Sequence, residues 1–148
     1  MKIIITEEQH KFLINENIKQ TLKQEVKKFG WEDTASLVGG PEELARLAFN
    51  NNPMEFLNIY NNLDVVQSEE KENWTLFRYT PKHNLMFYNS KNGNVYINYY
   101  EIWSFLEDGF GLNYTETQEL TERWLDEVYN LRGVTPFFEA DNEFNEVG

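Results

Sequence analysis

The chain has 148 residues, 41% of them apolar and 16% aromatic, and carries a net charge of −12. That length and apolar content suffice for one packed core and set it apart from acidic disordered segments, while the lack of cysteine excludes disulfides, thiolate metal sites and a thiol nucleophile. The charge is uneven: six lysines face four glutamates in residues 1–30, but from Trp31 onward 21 acids face seven bases, the wrong sign for nucleic acid and the right one for a basic partner.

Met1 to Ile5 reads as a short strand or extended arm, and Ile3-Ile4-Ile5 is too short an apolar run for a signal-peptide core or a membrane span. Neither secretion nor membrane insertion is expected, and a chain without disulfides suits the cytoplasm. Thr6 and Gln9 have the spacing of a capping box, so a helix begins there. Ile14, Ile18, Leu22, Val26 and Phe29 form its apolar stripe, Lys19, Lys23 and Lys27 a charged row beside it, and Gly30 ends it. Asp33 caps a short helix through Leu37. Pro41 opens another after Gly39-Gly40, with Leu44, Leu47 and Ala48 facing inward. Asn50-Asn51-Asn52 stops that helix, and Asn52 caps a further one from Pro53 that buries Phe56, Leu57 and Tyr60.

The middle of the chain changes period. Asp64–Gln67, Trp74–Thr80, Leu85–Asn89 and Val95–Tyr99 are runs of aromatic and β-branched residues separated by polar turns, as in an antiparallel meander. Asn92-Gly93 signals a type I′ hairpin, with a loop of two or four residues. Either loop puts Met86 and Tyr88 on one face with Val95 and Ile97, and Phe87 on the other with Tyr96. Glu101–Leu106 reads as a short helix ended by Asp108–Gly111. Asn113 or Thr115 then caps a long helix carrying Leu120, Trp124, Val128 and Leu131 up to Gly133. After that the period is lost. The expected fold is α+β, with N-terminal helices, three or four antiparallel strands and a long C-terminal helix on the sheet. Residues 1–133 form the single domain, and 134–148 an acidic, mobile tail.

Few residue patterns carry chemistry. Glu7-x-x-His10 has the spacing of one half of a di-iron helix motif and lacks a second copy. His83 belongs to a polar turn, and the serines lack a nucleophile elbow. Gly109-x-Gly111 has no third glycine and no following lysine, so it is a loop and not a phosphate cradle. Gly39-Gly40-Pro41 between two helices invites a DNA-binding reading, but the second helix would meet the phosphates with Glu42 and Glu43. No metal and no cofactor is therefore assigned. A carboxylate pair drawn from Asp64, Glu101 and Asp108 remains as an acid/base alternative.

Two surface features fit a protein partner. Glu119, Glu122 and Asp126, with Glu116 one turn earlier, line carboxylates along one helix side as a phosphate row would; a solvated helix face has the same pattern. Among the aromatics from Trp74 to Tyr114, most belong to a core, and Tyr79, Tyr96, Tyr99 and Tyr100 are the candidates for an exposed interface. The expected activity is a non-enzymatic docking module for a basic, nucleic-acid-binding protein. Self-assembly through aromatic surface is the alternative.

Met1-Lys2-Ile3-Ile4-Ile5-Thr6-Glu7-Glu8-Gln9 resembles the start of small accessory proteins of tailed bacteriophages and phage-derived metagenomic sequences. Asp64-Val65-Val66-Gln67, Trp74-Thr75-Leu76-Phe77 and Trp124-Leu125-Asp126-Glu127-Val128-Tyr129 have a similar character. The resemblance implies a phage or mobile-element origin and a host-cell cytoplasm. It favours inhibitors of host nucleases or polymerases, or minor virion components. It assigns no site residue.

Overall fold

The structure, a computed structural model, describes residues 7–81 and 83–139, with α1 side chains from residue 17 onward. The expected arm at Met1–Ile5 and the Thr6 cap lie outside the described residues. Four helices come first: α1 (Glu7–Phe29), α2 (Trp31–Val38), α3 (Pro41–Phe49) and α4 (Pro53–Leu57), the last running into a 3-10 turn at Asn58–Tyr60. Their stops are local. Gly30 takes φ +91° and donates to the Val26 carbonyl, closing α1, a conformation costly for a residue with a Cβ. Asn50 and Asn51 are left-handed after α3, and the Asn52 carboxamide accepts from the Met54 amide at 3.0 Å. One expectation moves: α2 opens at Trp31, two residues before Asp33, and its N-cap is Gly30.

Leu22 and Val26 of the α1 stripe are buried, whereas Ile18 and Phe29 are exposed. Of the lysine row, Lys19 and Lys23 both reach Glu55 of α4, at 2.7 and 2.8 Å. That carboxylate therefore ties the start of α4 back to α1.

The four expected strands form the antiparallel meander β1 (Asp64–Gln67), β2 (Trp74–Thr80), β3 (His83–Asn89) and β4 (Asn94–Asn98). Phe77, Met86 and Ile97 stand in one cross-strand row, with Tyr88 beside Val95 on the same face, while Leu76, Phe87 and Tyr96 stand on the other. The hairpin pairs Asn89 with Asn94, which leaves a four-residue loop. Gly93 has φ +75°, but Asn92 is not left-handed; its carboxamide instead accepts from the Asn94 amide at 2.9 Å. The type I′ turn is thus replaced by a side-chain-supported loop.

After β4 the chain enters a π-helical turn at Tyr99–Trp103, then α5 (Ser104–Asp108) and α6 (Tyr114–Tyr129). The expected helix at Glu101 is present in this wider form. Asn113 caps α6 with a reciprocal bond to Glu116: its side chain accepts from the Glu116 amide at 2.8 Å, and the Glu116 carboxylate accepts from the Asn113 amide at 3.1 Å. The helix is shorter than expected. Left-handed Asn130 ends it, its N–H donating to the Asp126 carbonyl and the Leu131 N–H to the Leu125 carbonyl.

The boundary expected at residue 133 is corrected as well. Val134 is buried, and Thr135–Glu139 form β5, which joins the sheet parallel to β4. The order is β1-β2-β3-β4-β5, so the sheet is mixed and five-stranded. A parallel return needs a crossover, which the π turn, α5 and α6 supply. Pro136 reads as a breaker, but among the described residues β5 pairs only with β4, and an edge strand tolerates a missing N–H. Residues 140–148 lie outside the described residues.

The main core lies between the helices and the Phe77 face of the sheet. At its centre Phe105 packs against Trp31, Phe49, Phe56 and Phe110, with ring centroids 4.8–5.9 Å apart. Trp124 is buried and donates its indole N–H to Asn61 at 2.8 Å. Tyr129 O–H donates to the Tyr60 carbonyl and accepts from the Leu63 amide. These contacts fasten α6 to the segment that leads into β1.

Candidate functional site

A hollow of about 230 Å³ opens where α1 turns into α2, lined by Phe29, Gly30, Trp31, Glu32, Asp33, Tyr100 and Glu101. The π turn positions it. In such a turn the Ser104 amide reaches back to the Tyr99 carbonyl, which leaves the Tyr100 carbonyl free to accept from Trp31 Nε1 at 2.7 Å and from Ser104 Oγ at 2.6 Å. Trp31 Nε1 also donates to Ser104 Oγ at 2.9 Å. One indole thus pins the start of α2 to the π turn and sets Glu101 above Gly30, where an added methyl group would lie 4.0 Å from both carboxylate oxygens.

Glu101 is mostly buried, and its carboxyl pKa is raised from the ordinary value, chiefly by desolvation and further by Glu32. Among the described residues no cation pairs with it. Its charge is felt inside the core: Tyr60 is pushed well above the usual phenol range, and Tyr79 to about 12, first by burial and then by Glu101. At the rim, Phe29 and Tyr100 are 54% and 55% exposed. Lys28 Nζ already stands 5.0 Å from the Phe29 ring centroid. Carboxylates and ring faces together suit a guanidinium or ammonium group.

A second hollow, of about 360 Å³, runs along α6 and the segment after it, lined by Glu119, Glu122, Arg123, Asp126, Leu131, Gly133 and Val134. The helical spacing does bring the three expected ridge carboxylates to one opening. Asp126 is held by Arg132 at 3.1 Å, and Arg123 lies 4.0 Å from Glu127. Glu116 is occupied in the cap.

The four tyrosines do not share one patch. Tyr79 is half-buried against Tyr60 and stacks on His83, 5.5 Å between centroids. Tyr96 lies on the sheet face turned away from the helices, stacked between Phe87 and Phe137. Tyr99 packs edge-on against Tyr100 and Trp103, and Tyr100 alone lines the first hollow. Of the acid/base candidates, Glu101 lines that hollow, Asp64 is exposed on β1 and Asp108 is exposed at the end of α5. His83 bonds to Thr80 at 2.6 Å. The His10 side chain lies outside the described residues, and among those described no group of three His, Asp or Glu side chains is placed to hold a metal ion.

Sequence reasoning gave Phe29 and Asp33 only structural roles and did not single out Glu32. The signal available was Phe29-Gly30-Trp31-Glu32-Asp33 itself, a helix break bracketed by rings and acids, but its partner Glu101 lies about seventy residues on. A comparison with protein-family models, curated proteins and solved structures returns no match.

Proposed function

We propose that this chain is a non-enzymatic, acidic protein-binding module that docks on a basic, nucleic-acid-binding surface of a partner, in the manner of a phage or mobile-element inhibitor. The observation that carries the reading is the make-up of the two hollows: each presents three carboxylates beside apolar or aromatic residues. Glu32, Asp33 and Glu101 receive one cationic side chain between ring faces, and Glu119, Glu122 and Asp126 supply the wider field that steers the encounter. No helix among the described residues is long and apolar enough to cross a membrane.

Capture of partners from host-cell extract by the immobilised chain, measured across salt concentrations, tests this reading. Charge reversal at Glu119, Glu122 and Asp126, or Glu101→Gln, should weaken capture by about tenfold or more. The same charge change at Glu42, Glu107 and Glu127 should do less. Binding indifferent to both salt and the ridge variants would sink the proposal. A carboxylate acid/base enzyme is the second reading, favoured by the raised pKa of Glu101 in a hollow.

A further inference from the structure

The sheet ends in a bare edge. Among the described residues β1 is the outermost strand and pairs only with β2, and all four of its residues are exposed, Val65 by 57% and Val66 by 37%. The opposite edge, β5, carries Pro136 and is partly covered. Proteins shield open edges with lysine, proline or bulges. Asp64-Val65-Val66-Gln67 contains neither lysine nor proline, and its register with β2 is unbroken.

The ladder shows which groups are free. Ser68 N–H donates to the Trp74 carbonyl at 2.9 Å, and the register continues through Gln67 opposite Thr75, Val66 opposite Leu76, Val65 opposite Phe77 and Asp64 opposite Arg78. Bonded and non-bonded pairs alternate along an antiparallel ladder. Asp64 and Val66 therefore bond inward to β2, while the N–H and C=O groups of Val65 and Gln67 point to the open side.

Charge decides what can pair there. Asp64 begins the strand, and Glu69, Glu70 and Glu72 follow it in an exposed turn. The single base of that turn, Lys71, stands over the Trp74 ring at 5.3 Å. A second copy of this chain would bring its own Asp64 and acidic turn against these acids, with −12 on each molecule. An extended segment bearing lysine or arginine brings the complementary sign.

We infer that the open edge of β1 takes up an extended, lysine- or arginine-bearing segment of a partner protein as an added strand, bonded to the main chain of Val65 and Gln67. Backbone pairing supplies the affinity, Val65 and Val66 offer one apolar contact on each face, and the acidic turn fixes the sign of the flanking residues. The inference shares with the proposed function only the charge of the partner; the surface is a different one.

The test uses an amidated, acetylated peptide of alternating lysine and valine as the probe, with amide exchange of the full-length chain as the readout. Binding should protect the Val65 and Gln67 amides and leave the already bonded Val66 amide unchanged. Methylating the peptide nitrogens on one alternate set should weaken binding by about tenfold, and methylating the other set should not. Val65→Pro removes an outward donor without touching the β2 ladder and should have the same effect; the methylated peptides serve if that variant does not fold. Protection confined to the segments around Glu101 or Glu122 would overturn the edge proposal while leaving the proposed function standing. Absence of binding, or dimerisation of the chain through β1 without peptide, would also overturn it.

Discussion

Gly109 offers a sharp check on the aromatic centre of the core. It follows α5 with φ −90° and ψ −37°, an ordinary right-handed conformation, so alanine there meets no backbone strain and its lower unfolded-state entropy would favour the folded chain by about 0.4–1 kcal/mol. The structure reverses the sign. A Cβ at Gly109 would lie 2.5 Å from Phe105 Cε1 and 2.8 Å from Cδ1, about 1 Å inside an optimal carbon–carbon contact. The ring has nowhere to go, because Phe105 is fully buried and touches Trp31, Phe49, Phe56 and Phe110. Gly109→Ala should therefore destabilise by about 2–3 kcal/mol, the upper part of the range of core overpacking. At about 2–4 °C per kcal/mol for a chain of this length, the thermal midpoint falls by about 4–12 °C. The cost should shrink by at least about 1 kcal/mol in a Phe105→Leu background, where the flat ring is gone; the Phe105 carbonyl, 3.0 Å from the added Cβ, keeps part of it. Calorimetry of the parent chain and the three variants in that cycle reads the coupling. Equal costs of Gly109→Ala in both backgrounds would refute the steric argument, as would a stabilising single variant.

Two glutamates should leave opposite marks on stability against pH. Burial raises the Glu55 pKa, but the hydrogen bonds from Lys19 and Lys23 outweigh it and the net value lies below 4.5; its contribution is present above the ordinary glutamate pKa and is lost as pH falls through the lower folded value. Glu55→Gln should cost about 1 kcal/mol or less at pH 7, since water still reaches the carboxylate, and progressively less as the pH falls through the folded value. Glu101 is shifted upward, so its contribution is present below the ordinary value and is lost as pH rises through the higher folded one. Glu101→Gln should accordingly raise the melting midpoint at pH 7 but not at pH 3, while weakening partner capture. Melts of both variants across pH 2–8 check the signs. In an alkaline titration followed by phenolate absorbance, Tyr79→Phe should remove a step near pH 12, not one near 10, because burial and then Glu101 hold that phenol up.

What was legible in the sequence is what neighbouring residues settle among themselves. Asn52 before Pro53 and Asn113 three residues before Glu116 define helix starts through bonds that close within one turn, and Pro41 after two glycines does so through its fixed φ. Alternation along β3 and β4 assigned their faces, because a one-residue slip would turn Met86 and Ile97 outward. The ridge of Glu119, Glu122 and Asp126 followed from helical spacing alone. The folded chain decided the rest. β5 is a strand only because β4 offers it a ladder across the α5–α6 crossover, and Pro136 hides this in any local reading. The hollow around Glu101 exists only where the Trp31 indole meets the π turn. Caps, turns and alternation depend on contacts a few residues apart, which composition and spacing record. A crossover strand or a carboxylate held over a distant glycine depends on pairs far apart in the chain, which only the packed core brings together.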